Sequence, residues 1–310
     1  MRQTVFTAML PVGESLAVQK NRICGARRDG PRVAVVTGMY GDELEGQFVA
    51  FELARRLNES RGNLKGVVDI YPALNPLGLS AYEHGVPQFD IDLERTFPGN
   101  PDGNLTEVLA DVVFRDILGA RVCVVIHSSD AHVREVTQVR IDEGDAAADL
   151  VRMASLLNPQ IIWARAAHPV ARPSLASALN AQGCPTVVVE MGAGASVSKD
   201  SGVWLVEGIL RLLENLHAWK GSTIALPYPR VVRGGNVAVL AASDPGLFLP
   251  GVEHGRRVRC GDVIGTIVDP LEGVVRCEVR APCNGLVFSL RDYPVAQPGS
   301  LLARILEEEQ

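Results

Sequence analysis

Apolar runs and amphipathic stretches alternate along the first two thirds of the chain. Residues 1 to about 28 alternate in polarity around Pro11-Val-Gly-Glu14, a pattern that predicts two short strands joined as a sheet-edge hairpin. Val33 to Val36 are continuously apolar, as in a buried strand. Leu44, Phe48, Val49, Leu53 and Leu57 then recur at helical spacing, and Arg61-Gly62-Asn63 ends that helix. With the run from Gly66 to Tyr71 they predict a strand, helix, strand unit of the kind that builds parallel sheets. Further helices are expected over 105–117, 145–157, 174–183 and 205–216, and strands over 121–130, 136–141, 159–164 and 185–190. From Pro72 to Gly103 no period persists, and a loop that long inside a compact domain is more often functional than idle. Helical spacing stops at Pro227-Tyr-Pro229. Beyond it, short β-like runs separated by Gly, Pro and Asp predict a small all-β unit, so the expected division is 1–226 and 227–310.

The candidate chemistry gathers at strand ends. Open α/β sheets place polar groups in loops at the carboxyl ends of their strands while the sheet behind stays packed. Gly38 and Gly41 bracket a turn there, which puts Tyr40, Asp42 and Glu43 at a mouth, with Asp42 read as the cap of the following helix. A second buried run, Val122-Cys-Val-Val-Ile126, releases His127, and a third, Val187 to Val189, releases Glu190. A lone strand-end histidine is more often structural; His127 gains weight from its place beside the first strand end.

Composition narrows the class. The 310 residues are 47% apolar and 21% charged, enough for a large domain with an appendage. A net charge of −6 without a dense Lys/Arg run argues against nucleic acid as a partner. No run of 18 apolar residues and no signal-peptide pattern at Met1 is present, so a cytoplasmic protein with no membrane partner is expected. Six scattered cysteines without a C-x-x-C pair read as structural thiols.

Several motifs together resemble the succinylglutamate desuccinylase/aspartoacylase family, relatives of the zinc carboxypeptidases. Gly38-Met-Tyr-Gly-Asp-Glu43 is similar to that family's Gly-x-His-Gly-Asp/Asn-Glu. Asn75-Pro-Leu-Gly78 and Asp92-Leu-Glu-Arg-Thr-Phe-Pro-Gly99 follow its next two motifs, His127-Ser128 its third metal-ligand setting, and Glu190-Met-Gly192 its Glu-x-Gly. The glycine turns near Gly265, Gly285 and Gly299 resemble its barrel-like tail. The resemblance implies an α/β, zinc-carboxypeptidase-like mixed sheet flanked by helices, with a small C-terminal all-β domain. It also implies one zinc per chain held by Glu43, His127 and the residue at position 40. Glu190 would activate water and protonate the departing amine, and Arg95, with Glu94, His84 and Asn75, would bind substrate. The implied activity is cleavage of the amide bond of a small N-acyl amino acid or related amide.

Three positions depart from the family pattern. Tyr40 stands for His, Glu94 for Asn, and His84 falls about where an Arg often grips substrate. A phenol is neutral at pH 7, with a reference pKa of about 10, and must lose a proton to ligate well. His84, Glu94, Asp130 and His132 are candidates to replace it. Glu94 either pairs with Arg95, neutralising its fork, or faces the substrate. The alternative function is a weakly active or inactive relative that binds a small metabolite or a protein partner through the same crevice. A homo-oligomer is compatible with either.

Overall fold

The computed structural model describes all residues except 28–29, 88–90, 144–146, 167–173, 195, 225–228, 234–235 and 309–310. The boundary expected at Pro227 and the loop before Pro169 lie outside the described residues. The elements run β1 (Arg2–Met9), β2 (Ser15–Cys24), β3 (Arg32–Val36), α1 (Glu45–Glu59), β4 (Val67–Tyr71), α2 (Pro76–Ala81), α3 (Leu105–Ile117), β5 (Val122–Ser128) and β6 (Val133–Glu143). Then come α4 (Ala147–Leu156), β7 (Ile161–Ala166), α5 (Leu175–Ala181), β8 (Thr186–Gly192) and α6 (Lys199–Asn215). The remainder is all strand: β9 (Arg230–Arg233), β10 (Val237–Ala241), β11 (Gly246–Pro250), β12 (Arg257–Val258), β13 (Val263–Asp269), β14 (Val274–Arg280), β15 (Gly285–Arg291), β16 (Val295–Ala296) and β17 (Leu301–Glu307).

One mixed sheet carries the molecule, in the order β1-β2-β4-β3-β5-β8-β6-β15-β17-β10, with β7 bridging β6 and β9 and with β12 on β15. β4, β3, β5 and β8 are parallel, so their carboxyl ends share one rim, and β6 returns antiparallel beside β8. The sheet does not stop at the C-terminal strands: β15 pairs with β6 through Ser289–Glu135 and Leu290–Arg134. A second, four-stranded sheet, β14-β13-β11-β16, packs against β10, β15 and β17 of the first across a small core around Phe248, Ile264 and Ile267.

Side-chain alternation assigns the two faces. Val33, Val35, Val122, Val124, Ile126, Val187, Val189 and Met191 pack against α1, α4 and α6. Ala34, Val36, Cys123 and Val125 face the other way, with α3, α5 and the β1–β2 hairpin. Because strand side chains have period two, His127 follows Cys123 and Val125 on that second face.

Several local expectations shift. α1 begins at Glu45 rather than near Asp42, its N-cap position is Leu44, and no side chain caps it. The preceding loop is tied to the chain after β8 instead: Leu44 N donates to Gly194 O at 3.0 Å, and Ser198 N donates to the buried Glu45 at 2.9 Å. The region 72–103 contains α2 and a 3-10 turn over Leu93–Thr96, too short to register as a period. β6 is longer than the expected 136–141, and the last strand, β17, runs to Glu307. All six cysteines are free thiols. Among the described residues no helix is long and apolar enough to cross a membrane.

Candidate active site

The turn after β3 is built for close approach. Gly38 adopts φ +63°, and a Cβ on Gly41 would lie 2.0 Å from the Gly78 carbonyl carbon, so neither position tolerates a side chain without rearrangement. This packing fixes Tyr40 and Glu43 over the rim. On β5 and β8 the register sets His127 directly beside Glu190. Tyr40, Glu43, His127 and Glu190 consequently line one hollow of about 240 Å³, together with Glu94 and Arg95 from the 3-10 turn. A neighbouring hollow of about 540 Å³ shares Tyr40, Glu43 and Glu190 and adds Asp42, His84 and His132.

Glu43 and His127 form the buried centre, His127 Nδ1 lying 2.9 Å from Glu43 Oε2. Burial alone would push His127 down. The Glu43 carboxylate outweighs it, with Glu94 and Glu190 adding, and raises the imidazole to about 10. Burial pushes the Glu43 carboxyl up, against the opposing pull of the His127 imidazole. Glu190 carries a different partner: Arg140 Nη1 lies 3.1 Å from its Oε1.

Tyr40 is turned away from metal duty. Its hydroxyl donates to Asp92 Oδ1 at 3.0 Å, and its ring stacks on His84 at 3.9 Å between centroids. Burial, reinforced by the charges of Asp92 and Glu94, pushes the phenol well above its usual range. His84 is itself tied to Asp42 at 2.9 Å, which holds its proton more firmly than usual. The donor set can be tested against zinc on this geometry. Two ligands on a tetrahedral zinc at about 2.05 Å lie roughly 3.3 Å apart, so Glu43 and His127 are placed as such a pair would be. Tyr40 supplies a protonated hydroxyl with a carboxylate already accepting from it. Among the described residues no three His, Cys, Asp or Glu side chains are grouped to hold a metal. The residues present therefore do not fit the three-ligand zinc centre that the resemblance implies.

The remaining expected residues separate. Arg95 is half-exposed, and its ion partner is Asp92 at 3.7 Å, not Glu94. Glu94 is 6% exposed, burial pushes it up to about 7, and its Oε2 has no hydrogen-bond partner. Asn75 does not reach the hollow: its Oδ1 accepts from Gly78 N and its Nδ2 donates to Gly85 O, both at 2.8 Å, so it is the cap of α2. Asp130 and His132 sit beside the second hollow, exposed and paired with each other at 3.3 Å. Arg140 was not anticipated. It lies between Val139 and Ile141, which face the α1 side, and a charged residue interrupting an apolar run at period two was the available signal.

Comparison with known proteins bears on the family and the fold. A family model described as the succinylglutamate desuccinylase/aspartoacylase catalytic domain matches residues 29–216. An N-alpha-acetyl-L-2,4-diaminobutyric acid deacetylase of Halomonas elongata is 26% identical over 299 residues, covering 91% of this chain and 83% of the relative. Among solved structures, the product-bound ectoine utilization protein EutE (DoeB) of Ruegeria pomeroyi superposes with a TM-score of 0.81 at 24% identity, over 97% of this chain and 93% of its own. A succinylglutamate desuccinylase/aspartoacylase of Rhodobacter sphaeroides gives 0.80 at 22% identity, over 100% and 96%. At these identities the superpositions establish the shared fold.

Proposed function

The chain belongs to the succinylglutamate desuccinylase/aspartoacylase family, and from that premise we propose that its rim hollow hydrolyses the amide bond of a small N-acyl amino acid. The family chemistry is amide cleavage, and the Halomonas relative is a deacetylase of an N-acetyl diamino acid. The observation that carries the assignment to this hollow is the convergence of Glu43, His127 and Glu190, three residues from three separate strand ends, on one cavity.

In this reading Glu190 takes a proton from water and returns it to the departing nitrogen. Arg140 at 3.1 Å orients that carboxylate. His127, charged through Glu43, places a fixed positive charge where the carbonyl oxygen gains negative charge. Arg95 offers a two-pronged fork for a substrate carboxylate. Zinc, when bound in relatives built on the full family motif, would lower the pKa of water and polarise the carbonyl. Among the described residues here only Glu43 and His127 are arranged to hold it, so no step is assigned to a metal.

The test is Glu190→Gln. It keeps the shape and removes the base, and loss of a general base costs about 10²- to 10⁴-fold in rate. The proposal predicts that loss on a panel of N-acetyl amino acids with an unchanged melting temperature; full activity in the variant would refute it. Tyr40 favours a second reading, in which the hollow binds a small metabolite with little turnover. Binding of N-acyl amino acids without any release of free amine by the parent protein distinguishes that case.

A further inference from the structure

Glu94 is the group in the hollow whose hydrogen bonding is incomplete. Its carboxyl is more than nine-tenths buried, it lines the cavity, and Oε2 is without a partner. A buried acceptor left unpaired is costly, which makes it a place where a ligand donor is gained rather than exchanged. The donors around it are engaged elsewhere. Tyr40 gives its hydroxyl proton to Asp92, His127 Nδ1 holds Glu43, and Arg140 holds Glu190 and approaches Glu135 at 3.5 Å. The same hollow carries the carboxylates of Glu43 and Glu190, which His127 and Arg140 already pair, whereas Oε2 of Glu94 has no such partner.

We propose that Glu94 is the specificity residue of this site and that it accepts the free ammonium of the substrate, which makes the substrate class N-acyl diamino acids rather than N-acyl derivatives of acidic amino acids. The inference rests on the hydrolase reading above and adds to it the charge of the group that enters the cavity. Arg95, one residue along the same 3-10 turn and half-exposed, remains available for the carboxylate of such a substrate. The adjacent Glu94–Arg95 pair then reads a zwitterion, the ammonium inside and the carboxylate at the mouth. Glu94 reaches the ammonium by a turn of its terminal carboxyl, since Oε2 is enclosed in the unliganded hollow.

The experiment compares three N-acetyl amino acids that share a head group and side-chain length but end in an ammonium, a methyl or a carboxylate: Nα-acetyl-2,4-diaminobutyrate, N-acetylnorvaline and N-acetylglutamate. A charge-assisted hydrogen bond formed in a buried site predicts a preference in kcat/KM of roughly 10- to 100-fold for the ammonium over the methyl substrate, with the carboxylate last. Glu94→Gln should abolish that preference, mainly by raising KM for the ammonium substrate. Glu94→Asn guards against a packing effect specific to glutamine. Equal rates on the three substrates, or a preference that survives in both variants, would overturn the proposal. If the parent hydrolyses none of them, the hydrolase reading fails by itself. Calorimetric binding of free 2,4-diaminobutyrate, norvaline and glutamate to parent and Glu94→Gln then decides the role of Glu94, tighter binding of the diamine by the parent alone supporting it and any other order refuting it.

Discussion

Replacing Tyr40 with histidine exchanges a side chain that arrives protonated for one that arrives with a lone pair. Asp92, which now accepts the phenol proton at 3.0 Å, would accept the N–H of the new imidazole, the carboxylate–histidine arrangement typical behind metal ligands. Outer partners of that kind are worth about 10- to 100-fold in metal affinity, and a direct ligand at least as much. Tyr40→His is therefore expected to raise zinc affinity by 10-fold or more, read by elemental analysis after dialysis against zinc. Unchanged uptake would mean that position 40 does not face Glu43 and His127. At this scale the sequence was legible where a residue type and a strand end coincided: Glu43, His127 and Glu190 all reach the hollow. It misled where one residue type serves two uses. Asn75 sits in a motif that suggested substrate binding, yet an asparagine before Pro-x-Gly is equally a helix cap, and that is its use here. Asp42 was the converse, an apparent cap that instead holds His84.

Among the elements, the β2–β4–β3 junction joins charges from three neighbouring strands. Asp69 on β4 is wholly buried. It receives the Arg22 fork from β2 at 2.7 and 2.6 Å, Arg32 from β3 at 3.3 Å, and Lys20 at 3.6 Å. Lys20 is buried too and reaches Asp116 of α3 at 2.5 Å, where the Tyr71 hydroxyl also donates. Burial alone would push the Asp69 carboxyl up, but its cations outweigh that and hold it below the usual carboxylate range. A depressed native pKa contributes stability that is fully present above the unfolded value of about 3.9 and is lost as pH falls through the native one. Asp69→Asn strands Lys20, Arg22 and Arg32 around a neutral amide, and breaking a buried pair costs about 3–5 kcal/mol. Urea unfolding at pH 7 should show that difference, narrowing below pH 4 as the parent loses the same charge. A constant gap from pH 7 to pH 3 would mean that the aspartate acts by shape alone. The sequence showed strands on both sides of this junction from their apolar runs. It did not show that Asp69, inside a buried run, had partners on β2 and β3, because that depends on strand order and register, which no local period encodes.

Across the whole molecule, the C-terminal strands belong to the same sheet as the site. β17 lacks the alternation that marks a half-exposed strand, since Leu302, Ala303, Ile305 and Leu306 are all buried. Its Arg304 reaches Glu135 on β6 at 2.9 Å, and Glu135, nearly inaccessible, also receives Gln138 at 2.6 Å and Arg140 at 3.5 Å. Arg140 in turn holds Glu190. A continuous charge-paired chain therefore runs from the last strand of the molecule to the proposed base, and each member sets how much of Arg140 is directed at Glu190. Arg304→Met leaves Glu135 with one fewer cation, which draws Arg140 toward it and away from Glu190. Couplings carried through such networks amount to about 0.5–2 kcal/mol. The variant is expected to lose a corresponding fraction of kcat at neutral pH. An unchanged kcat while the melting temperature falls would assign Arg304 to stability only and uncouple the C-terminal strands from catalysis.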